Sequence, residues 1–266
     1  MDIKKLMLLC FSPTGTTKKI IHHIAFGVNI NCIEWMDITT PIDRQENVNT
    51  NENELLIVGV PVYMGRVPAI VTQYLHTINA NNTPSVCVVV YGNRAYENAL
   101  LELKDVLTES GCKPIAGSAY VGEHSFSSKA LPSSVGRPDK NDVQHAEMFG
   151  RKIKGRLDKA SSVGQLAVVQ IPGSYPYGGV TDLWKLDFIS VSEDCTQCGV
   201  CAKNCPTGAI AAADSSIVDK EKCTLCCACI KQCKQNAKSM KPGLMKEAAI
   251  RCTKFINRKE PELFLN

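Results

Sequence analysis

The chain has 266 residues, of which 44% are hydrophobic and 21% are charged, and its formal net charge is +4. This composition argues against an intrinsically disordered chain, and the length suffices for one α/β domain plus a smaller module. The first apolar run, residues 6–11, is too short for a secretory signal, and no stretch approaches the roughly 18 apolar residues of a membrane span. The sequence therefore predicts a cytoplasmic protein.

Positive charge and cysteine are concentrated toward the C-terminus. Residues 220–266 carry eleven Lys or Arg and four Glu, and nine of the fourteen cysteines lie between Cys195 and Cys233. The basic segment could serve a nucleic acid, a membrane surface or an acidic partner, or form a solvated helix face; without a base-reading motif we predict no nucleic acid. In a reducing compartment, clustered cysteines are more typical of metal ligands than of disulfides.

Residues 1–160 alternate strand and helix patterns. Apolar runs predict strands at residues 3–11, 30–35, 55–62, 86–91 and 115–121, and amphipathic patterns predict helices at residues 17–27, 68–78, 96–110 and 139–157. This alternation predicts a doubly wound, five-stranded parallel sheet with right-handed crossovers. Ligands of such sheets bind at the carboxyl ends of the strands, so the loops there are the candidate site.

The loop after the first predicted strand has the composition of a phosphate site. It contains Ser12, Thr14, Gly15, Thr16 and Thr17, and it opens a helix. Hydroxyls and amides would converge on one point, where the helix N-terminus adds positive potential. The loop lacks the Gly-Lys pair of a Walker loop, and the alternative interpretation is an ordinary Ser/Thr helix cap.

Two further loops leave the same predicted sheet edge. The first contains Val62, Tyr63, Met64, Gly65 and Arg66, and the second contains Tyr91, Gly92, Asn93, Arg94 and Tyr96. Tyrosines can stack on a planar ring and glycines let the backbone approach it, although any single tyrosine is more often an ordinary core or surface residue.

With its S/T-x-T-G-x-T motif and these two loops, the N-terminal part resembles flavodoxins. The resemblance implies that the first loop binds the terminal phosphate of FMN and that the other two enclose its isoalloxazine ring. Free flavodoxins tend to have acidic flavin loops, whereas this chain has Arg66 and Arg94. We hypothesise that both arginines stabilise the anionic reduced flavin; the alternative is that they pair with surface carboxylates. His124, in the long loop 122–138, is a candidate for proton transfer, although a loop histidine is more often structural.

Residues 161–187 are predicted to be a linker, and residues 188–240 contain an internal repeat. A shift of 28 positions places CTQCGVCAKNC on CTLCCACIKQC. Each copy spaces four cysteines as C-x2-C-x2-C-x3-C, which is typical of iron–sulfur ligands; zinc sites more often show paired C-x2-C knuckles. Cys227 falls opposite Gly199 and is the surplus cysteine of the second copy.

The repeat resembles bacterial 2[4Fe–4S] ferredoxins, which implies a small α+β domain with two [4Fe–4S] clusters and crossed ligation. One cluster would be held by Cys195, Cys198, Cys201 and Cys233, and the other by Cys223, Cys226, Cys229 and Cys205. Lys234 stands where this family usually has proline. Residues 241–266 are expected to form a basic C-terminal helix or tail.

Together the two parts resemble the single-chain flavodoxin–ferredoxin fusion proteins of anaerobes. The resemblance implies an electron-transfer protein that passes electrons between two [4Fe–4S] clusters and FMN and exchanges them with redox partner proteins. An alternative is an FMN-dependent reductase of a small substrate, a quinone or similar, fed by the clusters. A third reading is a zinc-stapled binding module with an empty flavodoxin-like fold.

Overall fold

A six-stranded sheet forms the centre of the computed structural model, which describes residues 1–179 and 185–265. The strands are β1 (Lys5–Cys10), β2 (Ile33–Asp37), β3 (Asn49–Asn51), β4 (Glu54–Pro61), β5 (Asn79–Asn81), β6 (Thr83–Tyr91), β7 (Cys112–Val121), β8 (Ile189–Val191), β9 (Lys238–Met240) and β10 (Glu262–Leu265). The helices are α1 (Thr16–Val28), α2 (Ala69–Leu75), α3 (Ala99–Glu109), α4 (Lys140–Lys159), α5 (Val200–Lys203), α6 (Ala228–Lys231) and α7 (Leu244–Cys252). None of the described helices is long and apolar enough to cross a membrane.

The order of the strands identifies the topology. Across the sheet they run β10-β7-β6-β4-β1-β2, and β1, β2, β4, β6 and β7 are all parallel to their neighbours among these five. Numbered among themselves, these five lie in the order 2-1-3-4-5, which is the flavodoxin-like arrangement of a doubly wound sheet. The α/β fold class predicted from the sequence is confirmed.

The sixth strand is an addition to the predicted five. β10 pairs antiparallel with the edge strand β7, with Phe264 opposite Gly117. It comes from the segment expected to be a basic helix or tail, which contains α7 and then returns to the N-terminal sheet. Four residues are too few for a periodic strand pattern, so the pairing is set by the free edge of β7 rather than by local sequence.

Helices cover both faces of the sheet. Ile20, Ile21 and Ile24 of α1 are buried on the same face as α4, whereas α2 and α3 pack on the other. α1 and α4 approach closely, because a Cβ atom at Gly150 would lie 2.1 Å from the carbonyl oxygen of Ile24. This packing places the N-terminus of α1 at the carboxyl end of β1, where the candidate phosphate loop lies.

Part of the predicted linker is packed against the N-terminal domain. Val163, Leu166 and Val169 are buried, and the Tyr177 hydroxyl donates to Asp105 at 2.7 Å. Residues 180–184 of the predicted linker lie outside the described residues. The segment therefore follows the surface of the first domain up to residue 179.

The cysteine-rich part repeats its backbone as well as its sequence. Gln197 and Leu225, which are 28 positions apart, have φ of 55° and 56°, and Gly199 and Cys227 are both left-handed residues that precede a short helix. The Asn204 side-chain amide donates to Gln232 Oε1 at 2.7 Å, so one hydrogen bond joins two equivalent positions of the repeat. The strands β8 and β9 pair antiparallel beside it.

Several hydrogen bonds fasten the cysteine-rich part to the sheet domain. Arg44 donates to the Pro206 carbonyl at 2.6 Å, and Gln232 Nε2 donates to the Pro13 carbonyl at 3.0 Å. Phe126, from the loop after β7, packs against the small apolar cluster built around Phe188, Ile189, Leu225, Cys227 and Met245. These contacts set the second part against the carboxyl end of the sheet.

Candidate functional site

The loop between β1 and α1 has the features of an anion cradle. Gly15 is the N-cap of α1 with φ of 86°, which glycine adopts without steric cost, and α1 has no side-chain cap among the described residues. The Ser12 hydroxyl accepts from the Lys18 amide at 3.1 Å. Thr17 is 1% exposed, and its hydroxyl lacks a hydrogen-bond partner in the described part of the chain.

A phosphate fits this loop on structural grounds. A buried hydroxyl without a partner costs about 1–3 kcal/mol, so the Thr17 hydroxyl favours a ligand that would hydrogen-bond to it. No described atom lies within 4 Å of a Cβ built on Gly15, so space is open above the turn. The helix N-terminus adds positive potential there.

A cavity of about 120 Å³ lies beside the cradle. Its walls come from the phosphate loop, from the loops after β4, β6 and β7, and from the cysteine-rich part. Of the residues predicted to bind a cofactor, those that line it are Thr14, Thr16, Val62, Tyr63, Met64, Tyr91 and Gly92. The carboxyl ends of four neighbouring strands, β1, β4, β6 and β7, therefore meet at this cavity, as expected for a doubly wound sheet.

Three other predicted residues have different surroundings. A Cβ atom at Gly65 would lie 2.2 Å from the Glu97 carboxylate. Asn93 Nδ2 donates to the carbonyls of Phe255 and Asn257 at 2.7 and 3.0 Å, and the Tyr96 hydroxyl donates to Glu262 at 2.7 Å. Asn93 and Tyr96, in the loop after β6, therefore hold the C-terminal segment that returns to the sheet. The sequence did not predict this contact.

The two arginines are paired with carboxylates. Arg66 makes two hydrogen bonds to the buried Glu102, at 2.9 and 2.8 Å, and its guanidinium lies 5.1 Å from the ring centroid of Tyr177. Arg94 forms an ion pair with Glu97. Neither is among the residues that line the cavity. Both arginines therefore pair with carboxylates, which is the alternative considered from the sequence. The carboxylate partner of Arg66, however, is buried rather than at the surface.

His124 lies in the cavity wall with both ring nitrogens engaged. Nδ1 accepts from the Phe126 amide at 3.1 Å, so the neutral imidazole carries its proton on Nε2, which lies 3.4 Å from Cys252 Sγ. Burial lowers the pKa of His124 to about 4, with smaller contributions from Lys231 and Arg94. The ring packs on Gly92, where a Cβ atom would lie 2.1 Å from His124 Cδ2. This arrangement supports a structural histidine rather than a proton donor.

Five cysteines line one cavity in the cysteine-rich part. Four of them are the predicted ligands Cys205, Cys223, Cys226 and Cys229, and the fifth is the surplus Cys227. Burial, together with a smaller contribution from neighbouring thiols, raises the pKa of Cys226 and of Cys229 to about 12. Buried thiolates that destabilise one another fit a site that a cationic metal centre would neutralise. Apart from Cys227, this group contains three cysteines of the second copy and one of the first, which is the crossed set that the ferredoxin resemblance implies.

The other four predicted ligands lie around α5 and at the end of α6. Cys198 is exposed, Cys201 is buried, and Cys195 and Cys233 are intermediate. No three His, Cys, Asp or Glu side chains among the described residues lie close enough together to hold a single metal ion. A four-iron cluster binds one thiolate per iron, so its ligands are spread more widely than those of one ion.

Cys227 differs from its neighbours in its surroundings. It is 1% exposed, it belongs to the apolar cluster that contains Phe188 and Met245, and burial raises its pKa well above the ordinary value. Its φ of 57° matches the left-handed conformation of Gly199 in the first copy. The side chain thus serves as an apolar core residue in this structure.

Residues from the cysteine-rich part complete the cavity beside the sheet. Thr224, Leu225 and Met245 line it together with the flavodoxin-like loops. Tyr63 connects the two sites: burial raises its pKa well above 10.0, and the neighbouring thiols of Cys226, Cys227 and Cys223 add to the rise. The sequence pattern does not single out these three residues: Thr224 repeats Thr196 and looks like part of the cysteine frame, and Leu225 and Met245 belong to no ligand-binding pattern.

Comparison with known proteins places one family model on the chain. Residues 189–211 match the model described as a 4Fe-4S binding domain. No curated protein matches the sequence.

Solved structures similar to this chain include flavodoxins and a quinone oxidoreductase. An archaeal flavodoxin is 14% identical over 58% of this chain and 99% of its own, with a TM-score of 0.42. The Fusobacterium nucleatum flavodoxin bound to flavin mononucleotide is 15% identical over 57% and 98%, with a TM-score of 0.38. An NAD(P)H:quinone oxidoreductase from Methanothermobacter marburgensis is 9% identical over 59% and 100%, with a TM-score of 0.36. The fold assignment rests on the strand order: the chain joins a flavodoxin-like domain to a 4Fe–4S domain of ferredoxin type.

Proposed function

We propose that this protein passes electrons between two [4Fe–4S] clusters and one FMN held within the same chain. The observation that carries the proposal is the shared wall between two sites: Thr224 and Leu225, which line the cavity at the sheet edge, lie between the candidate cluster ligands Cys223 and Cys226. Short separations between redox centres favour electron transfer, and a single chain removes the need for an encounter between two proteins.

The chain divides into parts with separate tasks under this proposal. Residues 1–160 bind FMN, residues 161–187 link the parts, residues 188–240 carry the clusters, and residues 241–266 return to the sheet. Residues 12–17 hold the phosphate, and the loops around Tyr63 and Tyr91 contact the ring. When bound, FMN supplies a centre that accepts one or two electrons, whereas each cluster exchanges one.

The cluster ligands remain those implied by the ferredoxin resemblance. Cys195, Cys198, Cys201 and Cys233 hold one cluster; Cys223, Cys226, Cys229 and Cys205 hold the other. The shared cavity of the second set supports this assignment. The external donor and acceptor are redox proteins that exchange single electrons with the exposed Cys198 side of the domain, and the proposed compartment is the cytoplasm.

Metal and flavin analysis of protein purified without oxygen tests the proposal. We expect about eight irons, a similar amount of acid-labile sulfide and one FMN per chain, with a brown colour that dithionite bleaches. Colourless protein that contains zinc and no flavin would contradict it and support the zinc-stapled module. If the protein contained one FMN but only four irons per chain, the proposed flavin site would stand and the number of clusters would be one.

A reductase of a quinone or similar small substrate finds less support. Leu225 and Met245 line the cavity beside the flavin loops, so the cysteine-rich part covers an approach that such a substrate would use. Steady-state assays with NADH, NADPH and quinones separate the two functions, because saturable turnover is expected only of the reductase.

A further inference from the structure

We infer that the flavin site is shared by both parts of the chain: the turn between Cys223 and Cys226 binds FMN through Thr224 and Leu225. The inference rests on the proposed function and extends it, since it places the cluster of Cys205, Cys223, Cys226 and Cys229 next to the flavin. The other cluster then lies on the far side, toward external partners.

Thr224 has unused hydrogen-bonding capacity. Its hydroxyl is buried and makes no hydrogen bond of good geometry within the described residues, although the Cys226 thiol is near it, and Thr224 lines both the cavity between the flavodoxin-like loops and the cysteine cavity. Leaving such a group unpaired costs about 1–3 kcal/mol. A polar atom on the edge of the flavin ring would remove that cost, just as a phosphate oxygen would for Thr17.

The two equivalent turns of the repeat differ in the contacts of their side chains. Gln197 and Leu225 occupy the same left-handed position in the two copies. Gln197 keeps its side chain within its own part, because Nε2 donates to Asp214 at 3.0 Å and Oε1 accepts from the Ser215 amide at 2.7 Å. Leu225 is 5% exposed and lines the cavity. In the first copy the side chain of the turn therefore anchors the turn within its own part, whereas in the second copy the side chain adds an apolar surface to the cavity.

The turn between Cys223 and Cys226 is held in place from two sides of the cavity. Gln232 donates to the carbonyl of Pro13, in the phosphate loop, and Lys231 pairs with Glu123, in the cavity wall, at 2.6 Å. Lys231 is the last residue of α6, the short helix that follows the turn, and Gln232 caps this helix. The turn thus has a fixed position over the flavin loops.

A shared site couples the two cofactors. If the turn contacts FMN, then assembly of the neighbouring cluster and binding of FMN stabilise each other, and the coupling is reciprocal. The other cluster has no such coupling, because its equivalent turn is anchored at Asp214 and Ser215.

The test measures FMN affinity in variants of equivalent positions. Leu225→Trp fills the cavity and Thr224→Val removes the hydroxyl, whereas Gln197→Trp and Thr196→Val make the same changes in the first copy. FMN dissociation constants are measured by flavin fluorescence on anaerobic full-length protein, with iron counted in each sample. We expect Leu225→Trp to weaken binding by about tenfold or more and Thr224→Val by about threefold to tenfold, with both first-copy variants unchanged.

Unchanged FMN affinity in both Leu225→Trp and Thr224→Val at normal iron content would overturn the inference, as would equal losses in the first-copy variants. If Leu225→Trp loses iron, Thr224→Val against Thr196→Val decides. A wild-type protein that binds no FMN would instead overturn the proposed function, so the two failures are distinguishable.

Discussion

Lys238 Nζ donates a hydrogen bond to the backbone carbonyl oxygen of Ser215 at 2.6 Å, although the lysine is only 3% exposed. No ion pair to a carboxylate is formed by this ammonium within the described residues. The first copy of the repeat has a buried apolar residue, Ile210, at the equivalent position. The Asp214 carboxylate interacts with the charge of this lysine without forming an ion pair, and because burying a charge is costly, a further anionic group nearby would stabilise the ammonium.

Under the proposed function, that anion is the cluster held in part by Cys229. Burial raises the pKa of Cys229 to about 12, and the Lys238 ammonium opposes that rise, which indicates that the two groups are close. A positive charge favours the reduced, more negative state of a cluster. We therefore expect Lys238→Ile, which introduces the residue of the first copy, to lower the potential of one cluster by on the order of 60 mV.

Potentiometry followed by electron paramagnetic resonance measures this shift. The matched control is Lys234→Ile, because Lys234 is exposed and its charge is screened by solvent. Equal potentials in the wild type and in Lys238→Ile would show that the lysine does not act on a cluster.

Cys226 and Cys227 are neighbours with opposite expected roles. Both line the cavity that they share with Cys205, Cys223 and Cys229, but only Cys227 also belongs to the apolar cluster around Phe188 and Met245. We expect Cys226→Ala to lose one cluster, and Cys227→Ala to keep both at a cost of about 1 kcal/mol in the free energy of unfolding. Iron and sulfide analysis of both variants checks this; iron loss from Cys227→Ala alone would exchange the two assignments.

Thr17 provides a test of the phosphate cradle. Thr17→Val removes a buried hydroxyl that has no partner in the described residues, so we expect the FMN-free protein to be as stable or more stable. FMN binding should weaken about tenfold, whereas riboflavin, which lacks the phosphate, should bind unchanged. Thr72→Val in α2 is the control, because Thr72 also has a buried, unpaired hydroxyl. An equal loss of riboflavin affinity would argue against a phosphate contact.

The buried His124 predicts a pH-dependent stability. Its folded-state pKa of about 4 lies below the ordinary 6.5, so the unfolded chain binds a proton first as the pH falls. The free energy of unfolding should therefore decrease below about pH 6.5, by about 1 kcal/mol at pH 5.5. Urea unfolding at several pH values measures it. His124→Gln should show a shallower decrease over this range; an identical decrease would assign the effect to another group, such as His145, whose pKa burial also lowers.

The Arg66–Glu102 pair predicts a stability effect rather than a direct flavin effect. Arg66→Ala would leave the buried Glu102 carboxylate without its guanidinium partner, so we expect a loss of about 3–5 kcal/mol in the free energy of unfolding. The double variant Arg66→Met with Glu102→Gln should recover most of it, because a neutral glutamine still offers an acceptor to the buried Val67 amide, which donates to Glu102 at 2.9 Å. A flavin potential that shifts in Arg66→Ala, with stability unchanged, would restore the hypothesis that Arg66 stabilises the reduced flavin.

Much of the candidate site follows from short-range sequence patterns. The cysteine frame is a matter of spacing within 11 residues, and the internal repeat reappears in the backbone as equal left-handed turns. The three loops were predictable because each follows an apolar strand, and the carboxyl ends of parallel strands meet at one edge. Thr14, Thr16, Tyr63 and Tyr91 accordingly line one cavity.

The sequence by itself therefore determined the α/β fold class, the cysteine frame and the strand ends at which the cavity forms. Only the tertiary structure decided that Arg66 pairs with Glu102, that Asn93 holds the C-terminal segment, and that Thr224 and Leu225 complete the cavity wall. The physical reason is sequence separation. Periodicity and spacing report on neighbours within one or two turns, whereas these contacts join residues 36 to more than 160 positions apart and arise only when the chain folds back on itself, within the first domain for Arg66 and Glu102.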